Sequence, residues 1–139
     1  MAPSAMSSLA HRIASGLPLA ARPASVTEAG LAANGKPDAI ICANDDMALG
    51  AIEACAARGF TDVKIFGFDA LPEALVAVRD GTLAGTVEQF PGEQSREAMR
   101  VAVAFARDGK KPAEAVKLLT PIAITKANLD KAERVGEMK

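Results

Sequence analysis

Tryptophan and tyrosine are absent from this sequence, histidine occurs once and cysteine twice, and only 4% of the residues are aromatic, all of them phenylalanine. Stacking on a base or a sugar ring must therefore use one of five phenylalanines. No apolar run approaches the roughly 20 residues that a membrane-spanning helix needs, so insertion into a bilayer is not expected. Sixteen basic residues stand against seventeen acidic ones, a net charge of -1, which supplies no field to recruit nucleic acid or anionic lipid. Cys42 and Cys55 are too few and too apolar in their surroundings for a disulfide framework or a metal site. They read as small buried hydrophobes, expected at opposite ends of their strand-helix unit. The lone histidine, His11, belongs to no motif. With no nucleophile elbow, no phosphate-cradling glycine loop and no metal-ligand spacing, the chain is expected not to be an enzyme and to need no cofactor or metal. Asp45 and Asp46 could form a catalytic pair, but capping of a helix explains them with fewer assumptions.

Half of the 139 residues are hydrophobic, enough for one folded domain. The stretch PDAIICANDDMALGAIEA, residues 37–54, organises the rest. Residues 38–43 are a short apolar run of the kind expected of a parallel strand buried on both faces. Asn44, Asp45 and Asp46 end that run and offer oxygens to the unpaired N–H groups of a helix over 47–58, whose positive end favours carboxylates. Ala48, Ile52 and Cys55 recur at helical spacing, and Gly59 stands where a left-handed cap is placed. Asn44 thus has two readings. It caps this helix, or it faces a ligand, because open α/β sheets bind ligands at the carboxyl ends of their strands.

The first 27 residues contain no acid and three prolines. Ser7, Ser8, His11, Arg12 and Ser15 interrupt every candidate apolar centre, so no signal peptide is recognisable. An Arg- and Ser-containing transit segment is closer in composition, but residues 1–30 read best as an irregular leader or a misassigned start. A helix follows over 26–34, with Val26, Ala29, Leu31 and Ala33 available to pack, ended by Gly35 and Pro37. A second buried strand over 63–67 ends in Gly67, Phe68 and Asp69, repeating the pattern of the first. Such βαβ connections require a parallel sheet and are almost always right-handed. Pro72 opens the next helix and Gly81 closes it. The third strand, 83–89, carries Thr86, Glu88 and Gln89 and reads as an edge strand or one leaving the sheet. Pro91 breaks it. A long helix covers 93–107 with Ala98, Met99, Ala102, Phe105 and Ala106 on one face. A mixed run over 116–119, a short strand over 122–125 and a frayed helix capped by Asn128 complete the chain.

Three stretches, PDAIICANDDMALGAIEA, VKIFGFDALPEALVAVRDGTLAGTVEQFP and PIAITKANLD, resemble in this order and spacing the periplasmic sugar-binding proteins of ribose-binding type, receptors of bacterial ABC importers. The resemblance spans roughly the last hundred residues and implies an α/β fold of type I periplasmic-binding-protein kind, a three-layer parallel sheet. It implies a pentose or hexose as ligand, an ABC permease as partner and a periplasmic location. By the same resemblance Asn44 hydrogen-bonds sugar hydroxyls, Phe68 covers an apolar face of the ring, Asp69 accepts from two hydroxyls, and Gln89 reaches the sugar from the hinge. The chemistry agrees, since a sugar offers hydroxyls that both donate and accept around apolar C–H faces. The bland alternatives are that Asp69 caps the next helix, Phe68 is plain core and Gln89 is a polar edge residue.

The resemblance also implies an incomplete protein. Residues 31–139 match part of the second lobe only, and the first lobe, with the residues that hold the other side of the sugar, has no counterpart. Residues 92–119 are expected to belong to that lobe, which leaves the apolar face of the long helix uncovered. Two further readings stay open: an effector-sensing fragment of a lactose-repressor-like regulator, and a gene fragment without function. The regulator family more often shows GFDD where this chain has GFDA, and no recognition helix precedes the domain.

Overall fold

The structure, a computed structural model, describes residues 23–114 and 116–139. His11 and the leader as far as residue 22 lie outside them. Helix α1, Pro23–Asn34, has a proline in its first turn, where the missing N–H costs nothing, and it lies along helix α2, Asp45–Ala57. Its contact is narrower than the sequence suggests. Leu31 is buried, whereas Ala29 and Ala33 face solvent.

Strand β1, Ala39–Ile41, pairs in parallel with β2, Lys64–Phe66, placing Ile40 beside Ile65. The ladder continues past both strands: the N–H of Cys42 donates to the carbonyl of Phe66 at 2.9 Å. On the other side of β2, Ala84 N–H donates to Ile65 at 2.8 Å, and Phe66 and Gly85 form a parallel bridge. Strand β3, Thr86–Glu88, then pairs antiparallel with β4, Ile122–Ile124. The three strands expected to run parallel do so, in the order β1, β2, β3.

Helix α3, Pro72–Asp80, joins β2 to β3 and ends at Gly81, whose φ of 84° no β-carbon readily allows. Two right-handed crossovers that step the same way along a sheet put both helices on one face. Accordingly α2 and α3 touch each other, and Ala48, Ala51, Ala54, Cys55, Val63, Ile65, Val78 and Leu83 form one cluster with Leu31 of α1. The small residues of α2 allow α1 and the sheet to approach closely. Leu75 and Ile124 centre a second cluster beside β4. Burial of each large aliphatic side chain stabilises the unit by about 1.5–3 kcal/mol.

The same topology corrects the expectation that 38–43 is covered on both sides. Ile41 is 63% exposed and its neighbour Phe66 is 38% exposed, because no helix among the described residues lies on that face. The third layer is thus missing from the described residues. The reading of β3 as a polar edge also fails. Thr86 and Glu88 are buried between β2 and β4, and their polar atoms serve an internal network. Asn128 caps the 3-10 helix Lys126–Lys131 from within its first turn: Thr125 is the N-cap residue, and its N–H donates to Asn128 Oδ1 at 2.8 Å, closing a capping box. Residues 116–119 form no regular element, and Val116 and Leu118 are exposed.

Helix α4, Pro91–Asp108, buries none of its residues, and Met99, Val103 and Phe105 are open to solvent. Its ties are polar: Arg96 to Glu133 at 2.6 Å, Gly92 N–H to Glu133 at 2.9 Å, and Lys117 to Glu97 at 2.9 Å. Exposed ion pairs of this kind contribute at most about 1 kcal/mol each. Replacing Met99 and Phe105 by lysine should therefore change the unfolding free energy by less than about 0.5 kcal/mol per site, as expected for surface positions. A urea melt showing a loss of several kcal/mol would mean that α4 is packed in solution.

Candidate functional site

The register that joins the strands also sets the site. Asn44 lies three residues beyond Ile41, and Asp69 three beyond its partner Phe66, so both follow the carboxyl ends of neighbouring strands. Neighbouring strands are about 4.8 Å apart. The turns are stitched together, since Asp45 N–H donates to the carbonyl of Phe68 at 2.8 Å and Asp69 N–H to that of Val87 at 2.9 Å. Gln89, just past β3, donates from Nε2 to Asp69 Oδ1 at 2.7 Å. Three of the four candidates thus come from different strand ends, and Phe68 adjoins Asp69 in the same turn. All four are half-buried.

Each polar member keeps unused capacity among the described residues. Asn44 Oδ1 accepts from Met47 N–H at 3.0 Å, so Asn44 does cap α2, while its amide N–H groups remain available to donate. Capping and ligand contact are compatible here. Asp69 Oδ1 is taken by Gln89, which leaves Oδ2 as an acceptor. Asp69 does not cap α3, because Leu71 holds that position. The arrangement offers amide donors, a carboxylate and an aromatic plate on one open wall. Two shallow clefts elsewhere, one beside Arg100 and Lys111 and one beside Pro72 and Met138, include none of these residues.

Backbone strain is concentrated at the same place. Asp69 has φ 112°, Ala70 φ 52° and Phe90 φ 56°, the three non-glycine residues with positive φ among those described. Such conformations cost on the order of 1–3 kcal/mol each and persist where surrounding contacts impose them.

The sequence reading missed the buried polar residues that impose them. Asp45 is fully buried; its Oδ2 accepts from Leu71 N–H at 2.8 Å and its Oδ1 from the Thr86 hydroxyl at 2.7 Å. Burial raises its carboxyl above the ordinary range, the hydrogen bonds from Thr86 and Leu71 oppose that rise, and the charge of Asp69 adds to it. Glu88 is also fully buried, its carboxylate accepting from Phe90 N–H at 2.6 Å and Glu133 N–H at 2.9 Å. Gly67 gave the available signal: a β-carbon there would run into the Asp45 carboxylate.

Cys42 and Cys55 are free and buried. The Cys42 thiol is pushed up to about 11, first by burial, then by the charges of Asp45 and Cys55. Burial raises the Cys55 thiol as well, and both cysteines stay protonated at neutral pH. Among the described residues no three His, Cys, Asp or Glu side chains gather where a metal ion could be held, and no helix is long and apolar enough to cross a membrane.

Residues 8–111 match the periplasmic binding protein domain, so the match begins within the stretch read as a leader. The ribose import binding protein of Salmonella typhimurium is 40% identical over 72 residues, which is 52% of this chain and 24% of that protein. A crystal structure of a Caulobacter myo-inositol binding protein bound to myo-inositol is 45% identical, with a TM-score of 0.76 over 84% of this chain and 40% of its own. A periplasmic solute binding protein of an ABC transporter from Actinobacillus succinogenes, with bound D-allose, is 29% identical, with a TM-score of 0.72 over 78% of this chain and 37% of its own. The chain thus spans about a quarter of the curated relative and some two fifths of the solved structures.

Proposed function

The chain belongs to the periplasmic binding protein domain family and carries part of its type I α/β fold, and from that premise we propose that it supplies one wall of the sugar site of an ABC importer's binding component. The observation that carries this reading is the convergence of Asn44, Phe68, Asp69 and Gln89 at three adjacent strand ends, with Gln89 bonded to Asp69 at 2.7 Å. The similar proteins are described as binding ribose, myo-inositol and D-allose, so the ligand class is a polyhydroxylated ring. Asn44 donates to hydroxyls through its amide. Asp69 accepts through its free oxygen, making the stronger, charge-assisted bond. Gln89 holds Asp69 and accepts in turn, and Phe68 lies against the C–H face of the ring. The working compartment is the periplasm, and the macromolecular partner is an importer permease. Residues 92–119, whose helix buries nothing here, belong with the facing lobe.

One wall leaves a sugar wet. Water competes for each hydrogen bond at an open surface, and association must still offset the lost freedom of the ligand. The 139-residue chain by itself should therefore bind pentoses, hexoses or inositols no better than millimolar, about 4 kcal/mol at the standard state. Calorimetry would test this, and micromolar binding would show that the site is closed by something other than a facing lobe.

A further inference from the structure

We propose that Asp45 is a positioning residue, whose buried carboxylate, together with the Thr86 hydroxyl, holds the backbone at Asp69 and Ala70 in the left-handed conformation that presents the Asp69 side chain. The role in binding rests on the sugar-wall reading above; the geometry does not. Asp45 opens α2, where a carboxylate would ordinarily serve the helix, yet Asn44 already caps it through Met47 N–H. Both oxygens of Asp45 are directed away from their own helix. One receives Leu71 N–H, and the other receives the hydroxyl of Thr86, which in turn accepts from Ala70 N–H at 3.2 Å. The peptide groups immediately after the two strained residues are thereby both secured, and Asp45 N–H secures the carbonyl of Phe68 on their other side. Nothing larger than hydrogen fits at Gly67 while the carboxylate occupies this place. The start of β3 and the turn after β2 are fastened to one buried carboxylate at the head of α2, and that turn carries the strain.

Two observables follow. Both oxygens of Asp45 accept, so a proton on the carboxyl forces the Thr86 hydroxyl to reverse or weakens the bond from Leu71, and either change alters the setting of the loop amides. The titratable group that acts on Asp45 is Asp69, while the Cys42 thiol beside it is neutral and is itself pushed up by Asp45; burial, the largest influence, makes Asp45 take up a proton above its ordinary 3.8. In the isotope-labelled 139-residue chain, the Ala70 and Leu71 amide resonances should shift together as pH falls, with a midpoint above 3.8. At neutral pH, Asp45→Asn and Thr86→Val should speed hydrogen exchange at Ala70 and Leu71 by about tenfold or more, whereas Thr86→Ser restores the parent rate. Amides inside α2, such as those of Ala51 and Ala54, should change little. Folded variants with parent exchange rates at Ala70 and Leu71 would overturn the assignment. If the variants do not fold, the parent titration decides, and Ala70 and Leu71 resonances that do not move above pH 3.8 would overturn it as well. Persistence of these effects while a two-lobed protein carrying residues 31–139 binds no sugar would instead remove the sugar-wall reading and leave the positioning role intact.

Discussion

Asp69→Ala, in a two-lobed protein carrying residues 31–139 of this chain, is expected to weaken sugar binding by about 2–5 kcal/mol, roughly 30-fold to several thousand-fold. The magnitude follows from charge and enclosure. An ionised carboxylate makes bonds about twice as strong as neutral ones, and a closed site denies the orphaned hydroxyls a return to bulk water. Removing Asp69 also takes away the partner of Gln89 Nε2. Asn44→Ala and Gln89→Ala should cost less, roughly 1–3 kcal/mol, since neutral bonds are weaker and a water can fill the gap. Phe68→Ala should lower both affinity and thermal stability, because the ring is half-buried. Calorimetry on the four variants gives the ranking. If Asp69→Ala binds as tightly as the parent, the carboxylate is only a loop residue.

Glu88→Ala is expected to destabilise the chain itself by about 2–5 kcal/mol, a range set by two part-buried N–H groups left without acceptors. Those groups belong to Phe90 and Glu133, and the first sits at φ 56° immediately before Pro91. Glu88 therefore fixes the point where the chain leaves the sheet for α4. Glu133, held next to it, receives Gly92 N–H and pairs with Arg96, so the direction of α4 depends on the same junction. Glu88→Gln keeps one acceptor oxygen and should lose about half as much. Urea unfolding measures both, and an unchanged midpoint in Glu88→Ala would mean that water satisfies these groups.

Much of this architecture was legible because local chemistry and topology agree. The apolar runs before Asn44 and Phe68, the helix spacing after Asn44 and the glycines at 59 and 81 each state one element, and the right-handed βαβ rule assembles them. The exposed face of α4 was legible too, as an apolar stripe with no counterpart in the chain to cover it. What escaped was the polar interior. Thr86 and Glu88 alternate with Val87, a pattern that describes an edge strand as well as it describes buried residues with private partners. Asp45 beside Asp46 looks like half of a charged cap, and nothing local separates the fully buried acid from its exposed neighbour. Those assignments depend on residues 26 to 45 positions away, across Asp45–Leu71, Asp45–Thr86 and Glu88–Glu133. The open face at Ile41 and Phe66 also eluded a reading of apolar runs, because a run reports hydrophobicity without reporting which elements cover it.

The central claim is that Asn44, Phe68, Asp69 and Gln89 form one sugar-facing wall, and amide mapping in the isotope-labelled 139-residue chain tests it most directly. On addition of D-ribose or myo-inositol at tens of millimolar, well above the weak affinity expected, resonances of these four residues, the side-chain amides of Asn44 and Gln89 included, should shift together along one saturating curve. Shifts confined to another surface, or no shift at these four at saturating sugar, would contradict the account.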